Sequence, residues 1–540
     1  MKKLIISFLF LSISILALSW GKEGHDAVCA IAECALQERT IEAMAPYLNG
    51  RSIIYYASWP DQIRFIDEYD GKWMRWAHVA NYDSSFSAIM DESQTGPDAI
   101  VQIQAIIDKL KGGAYKQLPE EEVSEYIKYL VHAVGDMHCP GHMVVDGDKH
   151  SIKLTFSGKS ESYHAVWDAN LITAWHKWSC GDYAAEFGKV DEKTREHFTA
   201  GTVRQWGEAA ARKCAVIWDW AEEGCDLSKP FVYKAGPLAD EMIQLAGFRL
   251  AKVLNAIFAD EEYPCGDCPA GPVHQKPYEL ELMSFNICKS DPKATENKWE
   301  DRMFAVQAML KEQNPAILGT QECRWEQRED MEHLLGKEWA AIGVGMYDGK
   351  KDGPTNSIFY RKDVVEVQRW GSFWFSDTPD VPKSRFPEAS QNCYATWAVF
   401  KDLNCGKEFI LVNTHLDYKS EDCRARQAEL ILSKLEELGA GLPAIVMGDF
   451  NAKPCGTFAS NPKNPGSVLC RKLKDGRRLS ISSDLVKSYN SYGRKDPVIL
   501  DYIFYSSEFE GIHFKTIKKQ YEKVKYISDH YPVRQTLIFK

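Results

Sequence analysis

The 540-residue chain predicts two domains, an all-α domain followed by an α/β sandwich. The length is more than one ordinary core holds, so two domains of roughly 250 residues fit it better. Residues 24–258 carry apolar residues at three- and four-residue spacing, whereas the chain from Tyr278 onward shows short β runs. Residues 261–277 are rich in Pro, Gly and acid, which is typical of a linker between the two.

The first element, residues 1–19, has the pattern of a secretory signal peptide. It begins with two lysines, continues with a mostly apolar run over 4–16, and has small residues at positions −3 and −1 of a cleavage site after Ser19. We therefore expect a mature chain that begins at Trp20 and is secreted or periplasmic. No second apolar run approaches the roughly 18 residues of a membrane span, so we expect no stable membrane anchoring.

The domain assigned to residues 20–260 has five helical stretches. They cover residues 97–112, 119–135, 162–176, 190–221 and 237–257. Because each stretch has an apolar face that needs a partner, we expect the helices to pack on one another as an all-α domain.

The domain assigned to residues 278–540 alternates strands with helices. Its β runs are 279–287, 316–320, 356–360, 408–413, 443–447, 499–504 and 533–538, and its helical patterns are 299–313 and 422–438. This alternation predicts an α/β sandwich with four layers.

The composition limits the possible binding partners of the chain and the expected state of its cysteines. A net charge of −11 argues against a broad, non-specific DNA-binding surface, although bound metals would neutralise some of the carboxylates. Fifteen cysteines in an exported chain predict disulfides, with at least one cysteine unpaired and the pairing open. No second cysteine pair lies at zinc-finger spacing from Cys265 and Cys268, which favours a local disulfide in the linker over half of a zinc site.

Two His-x₃-Asp pairs lie in predicted helices, His132 with Asp136 and His164 with Asp168. Residues four apart project from one helical face, so each pair offers two metal ligands side by side. One such pair alone is more often an ordinary surface pair. The whole candidate set is hard to assemble by chance, and it comprises Trp20, His25, Asp61, His78, His132, Asp136, His142, His164 and Asp168.

The predicted cleavage would give Trp20 a free α-amine. That amine and the carbonyl oxygen of the same residue can hold a metal in a five-membered chelate, which no internal residue offers in the same way. His25 follows five residues later. The processing signal and the metal site therefore support each other.

Five motifs in this half carry a resemblance to a known family. They are WGKEGH at 20–25, ASWPD at 57–61, HAVGDM at 132–137, PGH at 140–142 and HAVWD at 164–168. With them, residues 20–258 resemble the trinuclear-zinc single-strand-specific nucleases and 3′-nucleotidases of the mung bean nuclease type, relatives of zinc phospholipase C. The resemblance implies three Zn²⁺ ions, with single-stranded DNA, RNA and nucleotides as substrates.

The resemblance also implies a ligand set for each ion. One zinc would be held by Asp61, His78, His132 and Asp136, a second by Trp20, His25 and the shared Asp136, and a third by His142, His164 and Asp168. Two zinc ions that share Asp136 would supply hydroxide at neutral pH for in-line attack on phosphorus. Arg64 matches a family arginine that stabilises the transition state.

Two details separate this chain from its relatives. Val79 stands where family nucleases can carry a base-stacking aromatic residue, which leaves the base preference open. Lipid-directed relatives end the third site with His-x₃-Glu, whereas this chain has His164 and Asp168 and a shorter spacing between Trp20 and His25. Both features of the ligand spacing favour a nuclease over a phospholipase.

The second half carries six motifs, most of them at the end of a β run, where sandwich loops converge. They are SFN at 284–286, TQE at 320–322, NTHLD at 413–417, GDFN at 448–451, LDY at 500–502 and SDH at 528–530. Together they resemble the endonuclease/exonuclease/phosphatase superfamily, which includes pancreatic-type DNases. The match covers nearly the whole half.

By this second resemblance, Asn286 and Glu322 bind Mg²⁺ or Mn²⁺, which prefer oxygen ligands. His530, oriented by Asp501, would be the acid/base catalyst, and His415 would contact the phosphate. Asp449 and Asn451 would position the nucleophile and the phosphate. Asp529 would assist at the metal. Cys288 replaces the extra acid of abasic-site nucleases, which argues against abasic-site repair.

The sequence therefore predicts an exported enzyme with a zinc-dependent nuclease/3′-nucleotidase domain and a magnesium-dependent phosphohydrolase domain. The alternative is a phospholipid-directed phosphodiesterase of the phospholipase C or sphingomyelinase kind. A third class is a surface-binding protein on catalytic folds that have lost activity, which the complete ligand sets disfavour. The substrate of the second domain and the oligomeric state stay open.

Overall fold

The computed structural model describes residues 20–63, 66–69, 80–89, 98–145, 151–227, 229–259, 276–454 and 461–540. These residues form two compact units, the first drawn from residues 1–218 and 232–274 and the second from 219–231 and 275–540. The predicted layout, a helical unit followed by a sheet-rich one, is confirmed. The segment Asp219–Phe231 also belongs to the second unit, although it precedes the predicted linker in the sequence. Among the described residues, no helix is both long and apolar enough to cross a membrane.

Several predictions fall outside the described residues. They concern the signal segment 1–19, Arg64, His78, Val79, Cys265, Cys268 and most of the linker. Every cysteine that the structure does describe is a free thiol, so the expected disulfides are not found in that part of the chain.

The first unit is mainly helical. Its helices are α1 (Lys22–Glu33), α2 (Glu38–Met44), α3 (Trp59–Ile63), α4 (Ala99–Leu110), α5 (Glu120–Asp136), α6 (Tyr163–Ala165), α7 (Leu171–Trp175), α8 (Cys180–Phe187), α9 (Glu192–Thr199), α10 (Val203–Cys214) and α11 (Lys229–Phe258). A π-helical turn over Val166–Asn170 joins α6 to α7. The predicted stretch 190–221 divides into α9 and α10, because Thr202 begins a new helix with a capping box.

The all-α prediction for this unit missed four short strands. They are β1 (Ala80–Tyr82), β2 (Met143–Val145), β3 (Lys153–Phe156) and β4 (Lys159–Ser162). β1 pairs with β2 in parallel, and β3 forms a hairpin with β4. β2 begins directly after His142, so its pairing with β1 fixes the backbone next to this predicted metal ligand.

The second unit contains the remaining elements. In chain order they are β5 (Asp226–Leu227), β6 (Leu280–Asn286), α12 (Trp299–Gln313), β7 (Ile317–Gln321), α13 (Trp325–Leu335), β8 (Trp339–Ile342), β9 (Ile358–Arg361), β10 (Val365–Trp374), β11 (Tyr394–Asp402), β12 (Glu408–His415), α14 (Glu421–Gly439), β13 (Ala444–Asp449), α15 (Pro465–Leu469), β14 (Lys474–Asp475), α16 (Gly476–Leu479), β15 (Ser482–Ser483), β16 (Asp501–Tyr505), β17 (Phe509–Thr516) and β18 (Val533–Phe539).

Two sheets form the centre of this unit. One has the order β10-β11-β12-β13-β16-β14, and the other runs β5-β15-β17-β18-β6-β7-β9-β8. Apolar side chains of both sheets, such as Leu411 and Leu282, form one core between them. A second core lies between the first sheet and α14, and a third between the second sheet and α12, so the unit has helix, sheet, sheet and helix layers.

Strand pairing brings the ends of several motifs to one edge of each sheet. His415 at the end of β12 is opposite Asp449 at the end of β13, and Asp449 is opposite Asp501 at the start of the antiparallel β16. In the other sheet, Asn286 and Gln321 end the parallel strands β6 and β7 side by side. The backbone register alone therefore gathers most of the predicted site.

Candidate metal centres

The first centre is built on the last turn of α5. His132 and Asp136 are both fully buried, and His132 Nε2 lies 3.1 Å from Asp136 Oδ2. His132 Nδ1 lies 2.8 Å from the carbonyl oxygen of Ala57, which can only accept, so Nδ1 carries the proton. Nε2 is therefore the nitrogen that faces the carboxylates, and it is the atom that a metal would take.

α1 and α3 add two further ligands to this cluster. His25 Nε2 on α1 lies 3.3 Å from Asp136 Oδ1, and the rings of His25 and His132 stack 3.9 Å apart. Asp61 on α3 places Oδ1 3.8 Å from His132 Nε2. The structure thus brings together four residues from three helices that are far apart in the sequence.

Gly135 is what allows His25 to reach this position. A Cβ at residue 135 would lie 2.9 Å from His25 Nδ1 and 3.8 Å from Cδ1 of Trp20. Real Cβ atoms essentially never approach a heavy atom that closely, so a side chain here would push the imidazole away. Sequence analysis did not single out this glycine, although it directly precedes Asp136.

We expect Gly135→Ala to weaken metal binding even though alanine favours a helix interior by about 0.5–1 kcal/mol over glycine. Displacing His25 should lower both zinc content and nuclease rate, the rate by on the order of 100-fold for a shift near 1 Å. Zinc analysis and rate measurement check this. Gly181→Ala in α8 is the matched control, because its Cβ would lie 3.6 Å from the nearest atom. Equal losses in both variants would contradict the steric argument.

The second cluster lies around Asp168 on the π-helical turn. His142 Nε2 is 3.2 Å and His164 Nε2 is 3.8 Å from Asp168 Oδ1, and the two imidazole rings are 4.8 Å apart. His142 Nδ1 also lies 3.6 Å from Asp136 Oδ1, so the two clusters adjoin. π-helical turns are rare and are frequent at functional sites.

Trp20 lies beside both clusters. Its side chain is fully buried, and the next residue, Gly21, donates its backbone N–H to the carbonyl oxygen of Asp168 at 2.6 Å. A Cβ on Gly21 would lie 2.9 Å from Cβ of Ala169, so only glycine allows this close approach. The backbone at residues 20–21 is therefore docked against the turn that carries Asp168.

The pKa shifts of these groups describe a site arranged for cations. Burial, together with the charge of His132, lowers the pKa of His25 to about 4. Burial would raise the pKa of Asp136, but the charges of His132 and His142 outweigh it and hold the pKa well below its usual range. Metal ligands must be neutral imidazoles and charged carboxylates, and these two residues have those forms at neutral pH.

The residues present fit bound metal ions. Asp168 Oδ2 is buried and has no hydrogen-bond partner among the described residues. A buried carboxylate oxygen is costly unless it is paired or coordinates a metal. Imidazole nitrogens that lie 3.1–3.3 Å from carboxylate oxygens are donors of the kind that zinc binds.

The structure adds Cys139 to the second cluster, a residue that sequence analysis did not assign. Its Sγ lies 3.7 Å from Asp168 Oδ1, and one ligand atom each of Cys139, His142 and Asp168 lie within 4.8 Å of one another. Its position, three residues from each of two predicted ligands, was the signal that the sequence offered.

The C-terminal centre is organised around Asp449 at the end of β13. Asp449 Oδ2 accepts a hydrogen bond from Asn286 Nδ2 at 3.0 Å and lies 3.5 Å from His415 Nε2 and 3.6 Å from His530 Nε2. Asn451 Nδ2 donates to His415 Nε2 at 2.9 Å. Four predicted residues, Asn286, His415, Asn451 and His530, are thus gathered around the carboxylate of Asp449.

His530 is held in one orientation by Asp501. The distance from His530 Nδ1 to Asp501 Oδ2 is 2.8 Å, and both side chains are buried. Burial disfavours the imidazolium, but the charges of Asp501 and Asp449 outweigh it and raise the pKa of His530 to about 10. The free Nε2 edge faces Asp449 and the cleft, which suits a group that exchanges protons there.

Glu322 and Asp529 lie on the same cleft. Glu322 follows β7 with φ of 57°, a left-handed conformation that is uncommon for a residue with a side chain and is often found at functional sites. Burial raises the pKa of Asp529, and the charge of Glu322 contributes to the same shift. Asn286 contacts Asp449 and uses Oδ1 to accept the backbone N–H of Cys288 at 3.0 Å.

The cleft between these groups measures about 500 Å³. Besides the predicted residues, its lining includes Lys289, Met346, Pro354, Asn356, Gln391, Tyr418, Tyr489 and Leu500. Apart from Leu500, which belongs to the LDY motif, these residues lie outside the six motifs, so the sequence did not predict them. Two motif members, Asn413 and Gln321, lie instead below the cleft, where Gln321 Nε2 donates to Asn413 Oδ1 at 2.8 Å and links the sheets.

Comparison with known proteins assigns each half to a family. Residues 20–259 match the family model described as S1/P1 Nuclease, and residues 283–530 match the Endonuclease/Exonuclease/phosphatase family. Both resemblances inferred from the motifs are therefore confirmed.

The chain is also similar to individual proteins. Endonuclease 3 of Arabidopsis thaliana is 26% identical over 272 residues, which are 45% of this chain and 90% of that protein. Nuclease S1 of Aspergillus oryzae is 25% identical over 283 residues, which are 47% of this chain and 96% of that protein. A solved endonuclease/exonuclease/phosphatase from Bacteroides vulgatus is 29% identical with a TM-score of 0.45, covering 49% of this chain and 100% of its own. The chain is a hydrolase that acts on phosphoester bonds.

Proposed function

We propose that the chain is an exported enzyme with two separate activities. The premise of this proposal is that both halves match families of phosphoester hydrolases. The N-terminal unit hydrolyses single-stranded nucleic acid and 3′-nucleotides with three zinc ions. The C-terminal unit hydrolyses phosphodiesters or phosphomonoesters with Mg²⁺ or Mn²⁺.

The observation that carries the first activity is the position of Asp136. Its two carboxylate oxygens lie between His25, His132 and His142, at 3.3, 3.1 and 3.6 Å from their ring nitrogens. A fully buried carboxylate with imidazoles on both oxygens is placed to bridge two cations. Bound zinc would supply hydroxide at neutral pH and would neutralise charge on the phosphate.

The other predicted residues of this unit would complete the proposed ion sites. Asp61, with His78, completes the ligand set that includes His132, and Trp20 completes the set that includes His25. Arg64 neutralises charge that develops on the phosphoryl oxygens. His142, His164 and Asp168 hold the third ion beside this pair.

In the C-terminal unit, the proposed chemistry uses the arrangement around Asp449. Glu322 with Asn286 would hold the magnesium ion with the assistance of Asp529, and a bound ion would supply positive charge beside the phosphate. His415 and Asn451 contact the phosphate. His530, fixed by Asp501 through Nδ1, exchanges a proton at Nε2, while Asp449 orients the attacking water.

Export follows from the proposed signal segment and gives the N-terminal unit its mature form. A signal peptide removed after Ser19 leaves Trp20 as the first residue of a secreted or periplasmic protein. Such an enzyme would degrade nucleic acid outside the cytoplasm and release phosphate and nucleosides for uptake.

A substrate panel on the full chain tests the proposal. Single-stranded DNA, RNA, 3′-AMP, sphingomyelin and phosphatidylcholine are offered with zinc alone, with Mg²⁺ alone, and after removal of both. We expect zinc-dependent cleavage of the first three. Cleavage of the two lipids, with nucleic acid left intact, would instead establish the phospholipid-directed alternative.

His530→Ala separates the second activity from the first. The variant should lose about 10²- to 10⁴-fold of the magnesium-dependent rate, which is the usual contribution of a positioned acid/base group. Zinc-dependent cleavage by the same protein is the internal control and should not change. A magnesium-dependent rate equal to wild type would show that His530 does not transfer the proton.

A further inference from the structure

Cys139 occupies a position that packing alone does not explain. It is fully buried, lies three residues after Asp136 and three before His142, and directs Sγ toward Asp168 Oδ1 at 3.7 Å. The structure describes this thiol as free. It therefore has the chemistry of a metal ligand at the edge of an existing ligand cluster.

The distances around Asp168 are those of one coordination shell. In a tetrahedral zinc site, with bonds of about 2.3 Å to sulfur and about 2.0 Å to nitrogen or oxygen, neighbouring ligand atoms lie roughly 3.3–3.6 Å apart. Asp168 Oδ1 lies 3.2 Å from His142 Nε2, 3.7 Å from Cys139 Sγ and 3.8 Å from His164 Nε2. Small movements toward a common centre would bring all four atoms within bonding distance of one ion.

A second observation points to an ion at the same place. The other carboxylate oxygen of Asp168, Oδ2, is buried in a residue that is 1% exposed and has no hydrogen-bond partner among the described residues. An ion bound by this carboxylate would compensate the lost hydration. The buried oxygen thus supports an ion at Asp168, and Cys139 Sγ lies 3.7 Å from the other oxygen of the same carboxylate.

We propose that Cys139, as a thiolate, is a fourth protein ligand of the third metal site, together with His142, His164 and Asp168. The inference rests on the proposed function, which supplies the third zinc. Metal binding removes the thiol proton, which is released to solvent. Four protein ligands close the coordination shell, as in structural zinc sites. The third ion then fixes the backbone at residues 139–142 and 164–168, and the hydrolytic step falls to the pair that shares Asp136.

The test replaces zinc by Co²⁺ in the full chain and records the near-ultraviolet absorption, where a cobalt–thiolate bond gives a charge-transfer band. Wild type should show the band and Cys139→Ser should lose it. The variant should also release one metal ion to a chelator at a concentration at least about tenfold lower. Cys29→Ser is the matched control, because Cys29 is an equally buried thiol on α1 and should leave the band unchanged.

The outcomes separate this inference from the proposed function. Wild type that binds three metal ions without a thiolate band overturns the inference alone and leaves Cys139 as a hydrogen-bond donor to Asp168. A disulfide between Cys139 and another buried thiol, such as Cys214, found by mass spectrometry of the unreduced protein, overturns it as well. Wild type that binds no metal in this unit overturns the tri-zinc function itself. The wild-type spectrum decides the question even if Cys139→Ser does not fold.

Discussion

Asp136→Asn is expected to abolish zinc-dependent cleavage of single-stranded nucleic acid and to leave the magnesium-dependent activity unchanged. The asparagine keeps the shape of the side chain but loses the charge that faces three imidazoles at 3.1–3.6 Å. Metal ions lower such barriers by several kcal/mol. Losing roughly 4 kcal/mol corresponds to a rate reduction of about 1000-fold. Zinc content should fall together with the rate, since Asp136 serves two of the proposed sites.

The control for this variant is Asp98→Asn. Asp98 is also a buried carboxylate of the first unit, but it caps α4 by accepting the backbone N–H of Val101 at 3.0 Å, and asparagine caps helices equally well. Zinc content and rate should match wild type. If chelating zinc leaves nuclease activity intact, or if Asp136→Asn keeps both zinc and rate, the assignment of the first unit is wrong.

The sequence predicted those parts of the site in which neighbours in the chain are also neighbours in space. His132 with Asp136, and His164 with Asp168, lie on single helical turns, so a spacing of four residues was enough to find them. In the second unit, parallel and antiparallel pairing carries Asp449 and its partners to one edge as soon as the β runs are recognised.

The sequence did not predict features that depend on close tertiary contact. The need for glycine at position 135 becomes visible only when α1 places His25 against α5. Cys139 could not be assigned from the sequence, because only the fold brings Asp168 on the π-helical turn to its sulfur. The strand β10 was missed because it is a sheet edge whose largely solvent-facing side chains, such as Glu366, interrupt any apolar run. Local patterns cannot encode such contacts, because the interacting partners lie far apart along the chain.

The second large effect concerns the proposed mature N-terminus. A protein that carries even one extra residue before Trp20 has an amide nitrogen in place of the α-amine, and an amide is not a basic ligand at neutral pH. His25 and Asp136 alone leave their zinc under-coordinated. We therefore expect the zinc content to fall by about one ion and the nuclease rate to fall by on the order of 1000-fold, with the magnesium-dependent activity unchanged.

Packing and chelation give different results in this experiment, because packing of the buried Trp20 side chain does not require a free α-amine, whereas chelation does. If Trp20 acts only as a buried aromatic anchor, the extended protein should keep its zinc and its rate. If the α-amine is a ligand, a protease that removes the extension and leaves Trp20 first should restore both in the same sample. Metal analysis and nuclease assays before and after that cleavage measure the difference. Equal zinc and equal rates before cleavage would exclude the chelate, while the ligands around Asp136 and Asp168 would still be open to test by their own variants.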